Sequence, residues 1–314
     1  MSWSLAGPTY KLRAVVLCAV DAAYQDMKKI LFALLLSTGA IRVVSWVNRK
    51  HVPILCYHSV IDSPHSINSD PHKQHIPLPL FLRHLDYLQK HHHLLSLSEF
   101  QRARRENRAL PDHAVVLTFD DGFRDFATVV APHLTRLRIP ATVFIITDRA
   151  YGNLPDNGES FLSWEEIREL ANSGLDVGSH TCAHPRLPDL SLPDVMRELS
   201  ESQAAVRMHT QQAEVALSYP FGQTSEQISG MANSAGYSCA IASDCGPNPQ
   251  SVNLHALSRT VIASDDDVPS FAARVSGLTW WITRIRRVFR ADLQKARDPS
   301  FSTRYNSATV ESYD

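Results

Sequence analysis

The feature that most restricts the fold of this chain is a repeated alternation. Short runs that are apolar at nearly every position, such as 114–119 (AVVLTF) and 141–146 (ATVFII), alternate with stretches of helical periodicity. A strand with one wet face alternates polar and apolar residues. A strand apolar throughout is buried on both faces, as parallel strands beneath helices are. The runs at 52–57, 175–177, 215–217, 238–242 and 257–262 read as further strands. Phe81, Leu82, Leu85 and Leu88 set a helix over 78–91, and a second opens on Ser98 as N-cap and runs to Arg108. Helices follow over 123–137, 191–209 and 224–235, and another runs from the capping box Ser163–Glu166 to Asn172. Some seven such units predict an α/β fold, a distorted (β/α) barrel of about seven strands, with its chemistry at the C-terminal strand ends. Residues 62–77 and 147–162 read as surface loops.

The barrel is expected over 51–265, preceded by an N-terminal helical segment (1–50). A basic amphipathic helix over 266–290 and a polar tail over 291–314, read as disordered, follow it. Residues 30–41 form an unbroken low-polarity run behind Lys28 and Lys29. Twelve residues fall short of the roughly 20 that span a bilayer. The length suits a signal-peptide core if translation starts at Met27, but no small-x-small cleavage site follows. Arg42, Trp46, Arg49 and Lys50 resemble an interfacial rim, so a helix lying on a membrane or packed on the barrel is preferred. The expected setting is a bacterial-type cytoplasm or membrane surface; an uncleaved anchor and export stay open. The later helix sets Phe271, Val275, Leu278, Trp281, Ile282, Ile285 and Phe289 beside Arg284, Arg286, Arg287 and Arg290, which suits docking on the barrel or peripheral membrane contact.

Lys and Arg number 31 against 32 Asp and Glu, so no global attraction draws this chain to nucleic acid. Cys18, Cys56, Cys182, Cys239 and Cys245 are odd in number and lack CxxC spacing. They predict neither a zinc ribbon nor a disulfide framework, and lean towards a reducing compartment.

Two motifs carry chemistry. Thr118-Phe119-Asp120-Asp121-Gly122 ends a buried strand, where adjacent carboxylates are costly unless a cation compensates one of them. A helix N-cap with a second acid in the first turn is the plainer reading. His180-Thr181-Cys182-Ala183-His184 places two imidazoles four apart, able to converge on one ion from a helical turn; two surface histidines are the plainer reading. Taken together, two histidines and a carboxylate at strand ends make a facial set for a divalent ion, leaving the second carboxylate as a base.

With Tyr219-Pro220-Phe221-Gly222 added, the sequence resembles the polysaccharide deacetylases, the NodB-homology family of carbohydrate esterases (family 4), over about residues 52–265. The resemblance implies a (β/α) barrel hydrolase that removes acetyl groups from N-acetylhexosamine units of poly- or oligosaccharides, in exopolysaccharide or cell-envelope metabolism. By the same likeness Asp120 is the general base and Asp121, His180 and His184 hold a divalent metal. Zn2+ fits that set, with Co2+, Mn2+ or Fe2+ as alternatives. Tyr219, Pro220, Phe221 and Gly222 line the sugar groove, and the Phe221 N–H assists at the oxyanion. Many members carry an Arg at the position of Ser218; Arg259 is the candidate orienting residue in its place, or a structural ion pair. Many members also end on a strand with Leu-x-His, whose His is the general acid. Here that strand character stands at the front, at Ile54-Leu55-Cys56-Tyr57-His58, as in the circularly permuted branch that includes poly-N-acetylglucosamine deacetylases. His58 is therefore the expected acid, and His255 a surface residue. Two rival readings keep the fold: a silent sugar-binding scaffold with a decayed site, and an O-acetyl esterase.

Overall fold

The computed structural model describes residues 23, 26–62, 73–152, 160–243, 246, 248–249 and 252–285. The polar tail 291–314, Cys18, Cys245, Phe289, Arg286, Arg287 and Arg290 lie outside them. The main sheet is all parallel, in the order β10 (Thr260–Val261), β1 (Ile54–Tyr57), β5 (Ala114–Phe119), β6 (Thr142–Ile145), β7 (Asp176–Ser179), β8 (Ala216–Ser218) and β9 (Cys239–Ile241). The sheet is curled. A bridge from Ile241 to Leu257, three residues before Thr260 joins Leu55, brings its two edges together through one segment. Alternate strand residues then face two cores. Ile54, Val116, Phe144, Ala216, Ile241 and Leu257 fill the barrel interior, while Leu55, Tyr57, Leu117, Phe119, Val143 and Leu217 meet the surrounding helices.

Several local expectations are corrected. Residues 75–77 are not loop but β3 (His75–Pro77), paired in parallel with β2 (Ser59–Ile61). β4 (His93–Leu95), absent from the sequence reading, pairs with the first half of β5. The N-cap of the following helix (Leu97–Arg105) is Ser96, whose Oγ accepts from the Glu99 N–H at 3.0 Å; Ser98 lies inside the first turn. The helix expected over 123–137 opens as a π-turn, Phe126–Val130, before α geometry resumes at Ala131–Leu137. Pro132 has no N–H to donate, and the wider turn accommodates the missing bond. Residues 147–150 are a short helix rather than loop. The Ser163–Glu166 capping box forms as read.

The run over 30–41 is divided between two helices, Asp26–Ser37 and Ala40–Val47, bent by 77°. No single described helix is long and apolar enough to cross a membrane. The helix expected over 271–290 is likewise two, Val268–Val275 and a second over 278–285, broken at Gly277 with φ 83°. The Asn48 Nδ2 donates to the Ser276 carbonyl at 2.8 Å across that break, and a Cβ on Gly277 would lie 2.9 Å from it. Phe271 and Val275 pack into the main core, so this element is fastened to the barrel.

Phe271 also stacks on His84, whose ring centroid lies 4.0 Å away. Burial holds the His84 imidazole down at about 4, despite its bond to the Asp266 carbonyl, and likewise lowers His92 to about 4. The unfolded chain, with His near 6.5, therefore binds protons that the native state refuses, and acid favours unfolding. Stability should hold above pH 6.5 and fall as pH drops towards 4. In denaturant titrations at pH 7.5 and 4.5, His84→Gln should reduce that fall by about 2–3 kcal/mol; an unchanged fall would show that His84 is protonated without cost.

Candidate active site

The chemistry-bearing residues meet at the C-terminal ends of the strands. His58 follows β1, Asp120 and Asp121 follow β5, His180 follows β7, Ser218 ends β8, and Arg259 precedes β10 on the closing segment. The Asp120 N–H donates to the Tyr57 carbonyl at 2.9 Å, which fixes the two strand ends beside each other.

Asp120 is 1% exposed, and its two oxygens are treated differently. Oδ2 accepts from Arg259 Nη1 at 2.6 Å and from the Ser218 hydroxyl at 3.1 Å, and that hydroxyl itself accepts from Arg259 at 2.8 Å. Oδ1 is buried without a hydrogen-bond partner among the described residues. Burial alone would raise this carboxyl, but the Arg259 guanidinium, with His180 and His58, holds it well below the usual carboxylate range. A buried anion facing an empty partner position is expensive unless a ligand completes it.

Asp121, His180 and His184 form the second group, each offering a ligand atom within 4.8 Å of the others. Asp121 Oδ1 stands 3.5 Å from His180 Nε2 and 3.7 Å from His184 Nε2. The His180 Nδ1 donates to the Ser218 carbonyl at 2.7 Å, leaving its Nε2 lone pair directed at the group. Burial lowers His180 to about 3 and also lowers His184, so both rings are neutral donors at physiological pH. The two Nε2 atoms are 3.1 Å apart, a separation that needs a proton or a cation between them. This N, N, O set fits a divalent metal ion. Asp121 and His184 keep partly open side chains, which gives the group a face to solvent.

The backbone is arranged to produce this. Asp121 (φ 68°), Thr181 (67°), His184 (61°) and Phe221 (56°) all adopt left-handed conformations rare for such residues. The two histidines thus converge from a tight loop, not from a helical turn. Glu198, buried on the helix Leu192–Thr210, pins that loop by accepting from the N–H groups of Cys182 and Ala183 at 2.9 and 3.0 Å. The sequence reading missed Glu198; its signal was an acid on the inward face of an otherwise ordinary helix.

His58 stands at the same end, in a group with Cys56 and Asp120 whose ligand atoms lie within 4.8 Å of one another. Tyr219 is buried and donates to the His255 carbonyl at 2.9 Å, so it supports the turn rather than lining a groove. His255 is half-buried, bonded to the Tyr237 carbonyl. Pro220 is buried, whereas the Phe221 ring is exposed, 4.8 Å from His184, with the Arg186 guanidinium over it. Gly222 has φ 64°, and a Cβ there would fall 1.9 Å from the Ser243 Oγ, so the turn requires glycine.

A buried carboxylate, a neighbouring imidazole and a two-histidine, one-carboxylate group lie together at the mouth of a parallel barrel, an arrangement able to support hydrolysis. Residues 107–240 match the Polysaccharide deacetylase family. YxkH of Bacillus subtilis (strain 168) is 24% identical over 238 residues, 74% of this chain and 80% of YxkH. Identity is 36% over 97 residues with the poly-beta-1,6-N-acetyl-D-glucosamine N-deacetylase of Escherichia coli (strain K12), a match spanning 28% of this chain but only 14% of that enzyme. In fold, the Streptococcus pyogenes deacetylase PplD superposes with a TM-score of 0.64 at 24% identity, covering 72% of this chain and 98% of PplD. Over residues 107–240 the chain is therefore similar to the polysaccharide deacetylases, and its curated relatives are named as deacetylases, hydrolases of carbon–nitrogen bonds other than peptide bonds.

Proposed function

We propose that this protein hydrolyses the acetamide of N-acetylhexosamine units in a poly- or oligosaccharide of exopolysaccharide or cell-envelope metabolism, releasing acetate and leaving a free amine. The observation that carries the reading is the divided carboxylate of Asp120, one oxygen held by Arg259 and Ser218 and the other left unpartnered beside His58 and the metal-type group.

Asp121, His180 and His184 would hold a divalent ion, Zn2+ fitting best. When bound, the ion supplies Lewis acidity that eases ionisation of a water and polarises the acetamide carbonyl. Asp120, kept ionised by Arg259, takes the proton of the attacking water on Oδ1. The Phe221 N–H donates to the carbonyl oxygen as it gains charge, a contribution of about 3 kcal/mol for a preformed amide donor. His58 gives a proton to the departing nitrogen, so that water and amide leave as acetate and amine. The exposed Phe221 ring offers an apolar plate for a sugar face.

The test is acetate release from β-1,6- and β-1,4-linked N-acetylglucosamine oligomers, with amine counted alongside. Each acetate should be matched by one amine, a chelator should abolish release, and Zn2+ should restore it. Acetate from an O-acetylated glycan assayed alongside, with none from these oligomers, would assign an O-acetyl esterase, and no acetate from any oligomer with metal-loaded protein would overturn the reading.

A further inference from the structure

Fourteen large hydrophobic side chains are exposed among the described residues, and nine of them fall in three helices that pack together as one appendage, two before the barrel and one after it: Met27, Ile30, Leu31, Leu34, Val43, Trp46, Val47, Trp281 and Ile285. The helices Asp26–Ser37 and Ala40–Val47 and the helix over 278–285 each bury one face. Phe32 and Ile41 pack on Ala272 and Ala273, with Leu35, Leu36, Leu278 and Ile282 around them. The appendage is thereby seated on the barrel, and its opposite faces remain apolar towards solvent.

The charge in these pieces is one-sided. Lys28, Lys29, Arg42, Arg49, Lys50 and Arg284 stand against Asp26, in a chain whose overall net charge is −1. Asp112 pairs with Arg49 and Lys50, and Lys28, Lys29, Arg42 and Arg284 remain to set the sign of the surface. The aromatic residues carry the same signature: Arg49 lies 4.4 Å over the Trp46 ring, and Arg284 lies 5.5 Å over the Trp280 ring. Indoles beside cations on these helices suit the headgroup region of a bilayer, where apolar area and basic charge act together. The placement also suits a polymer-processing enzyme. The helix Ala40–Val47 meets the barrel at Ser45 and His113, just before β5 begins, so it underlies the strand end opposite the active site.

We propose that this appendage seats the protein in the interface of anionic lipid bilayers, with the helix Ala40–Val47 lying at the strand ends opposite the active site. A protein partner would be expected to leave a mixed-charge rim; the basic, tryptophan-bearing face favours lipid phosphate. The experiment is co-sedimentation of the full chain with vesicles of phosphatidylglycerol mixed into phosphatidylcholine, and with phosphatidylcholine alone. Binding should require the anionic lipid, weaken with salt and blue-shift tryptophan emission. Ile30→Glu/Trp46→Glu and Lys28→Glu/Arg42→Glu should each weaken it by about tenfold or more, whereas Leu192→Glu, an exposed position on a distant helix, should not. Unchanged thermal melts would show that these surface variants still fold. Absence of binding, equal binding to neutral vesicles, or binding unaffected by both double variants would overturn the proposal. So would a dimer that these variants dissociate and that never binds vesicles, because the face would then be a contact between copies.

Discussion

Asp120→Asn should lower acetate release by about a thousandfold, the middle of the range for losing a general base, with metal content unchanged. The amide fills the same volume and its oxygen can still accept from Arg259, but it cannot take a proton at Oδ1. His184→Ala should behave oppositely. It removes one of the three ligand atoms of the group, so metal affinity falls first and turnover follows. Saturating Zn2+ should then recover part of the His184→Ala activity and none of the Asp120→Asn activity. Metal analysis after dialysis, beside acetate release with and without added Zn2+, separates the two. Equal metal loss in both variants would contradict the division of labour between neighbouring carboxylates.

The parts of this site that were legible in the sequence are those in which chemistry sits within a few residues of a strand end. Asp120 and Asp121 after an unbroken apolar run, and His180 and His184 at the end of the short strand β7, announce themselves because burial makes such polar residues costly. The parts that were less legible depend on remote contacts; Arg259 could be named as a candidate through the resemblance, but its contacts could not. Arg259 lies 139 positions from Asp120, and only the meeting of the sheet edges through 257–261 brings it over the barrel axis. Ser218 looked like the loss of an expected arginine; in the structure its hydroxyl relays between Arg259 and Asp120. β4 is three residues long and directly follows a helix, too short for any period to show. The breaks at Gly39 and Gly277 were hidden for the reverse reason: apolar residues resume on the same face across each bend, so periodicity alone joins the pieces.

That remote arginine gives the second large effect. Arg259→Met should destabilise the protein by about 3–5 kcal/mol, because it leaves a buried carboxylate without its compensating charge. Arg259 and Asp120 are 3% and 1% exposed, so solvent cannot take over. In urea titrations the double variant Asp120→Asn/Arg259→Met should regain most of that loss, since an amide needs no counter-charge. Arg259→Lys keeps the charge but offers one ammonium where the guanidinium nitrogen reaches both Asp120 and Ser218, so an intermediate loss is expected. Turnover decides what the pair is for. If Arg259 orients the base, Arg259→Lys should release acetate more slowly even where it is fully folded and metal-loaded, with kcat affected more than KM. If the pair only stabilises the barrel, the folded Arg259→Lys protein should turn over normally. The geometry favours the first outcome, because the atom Arg259 holds is the carboxylate oxygen next to the one left free to receive a proton.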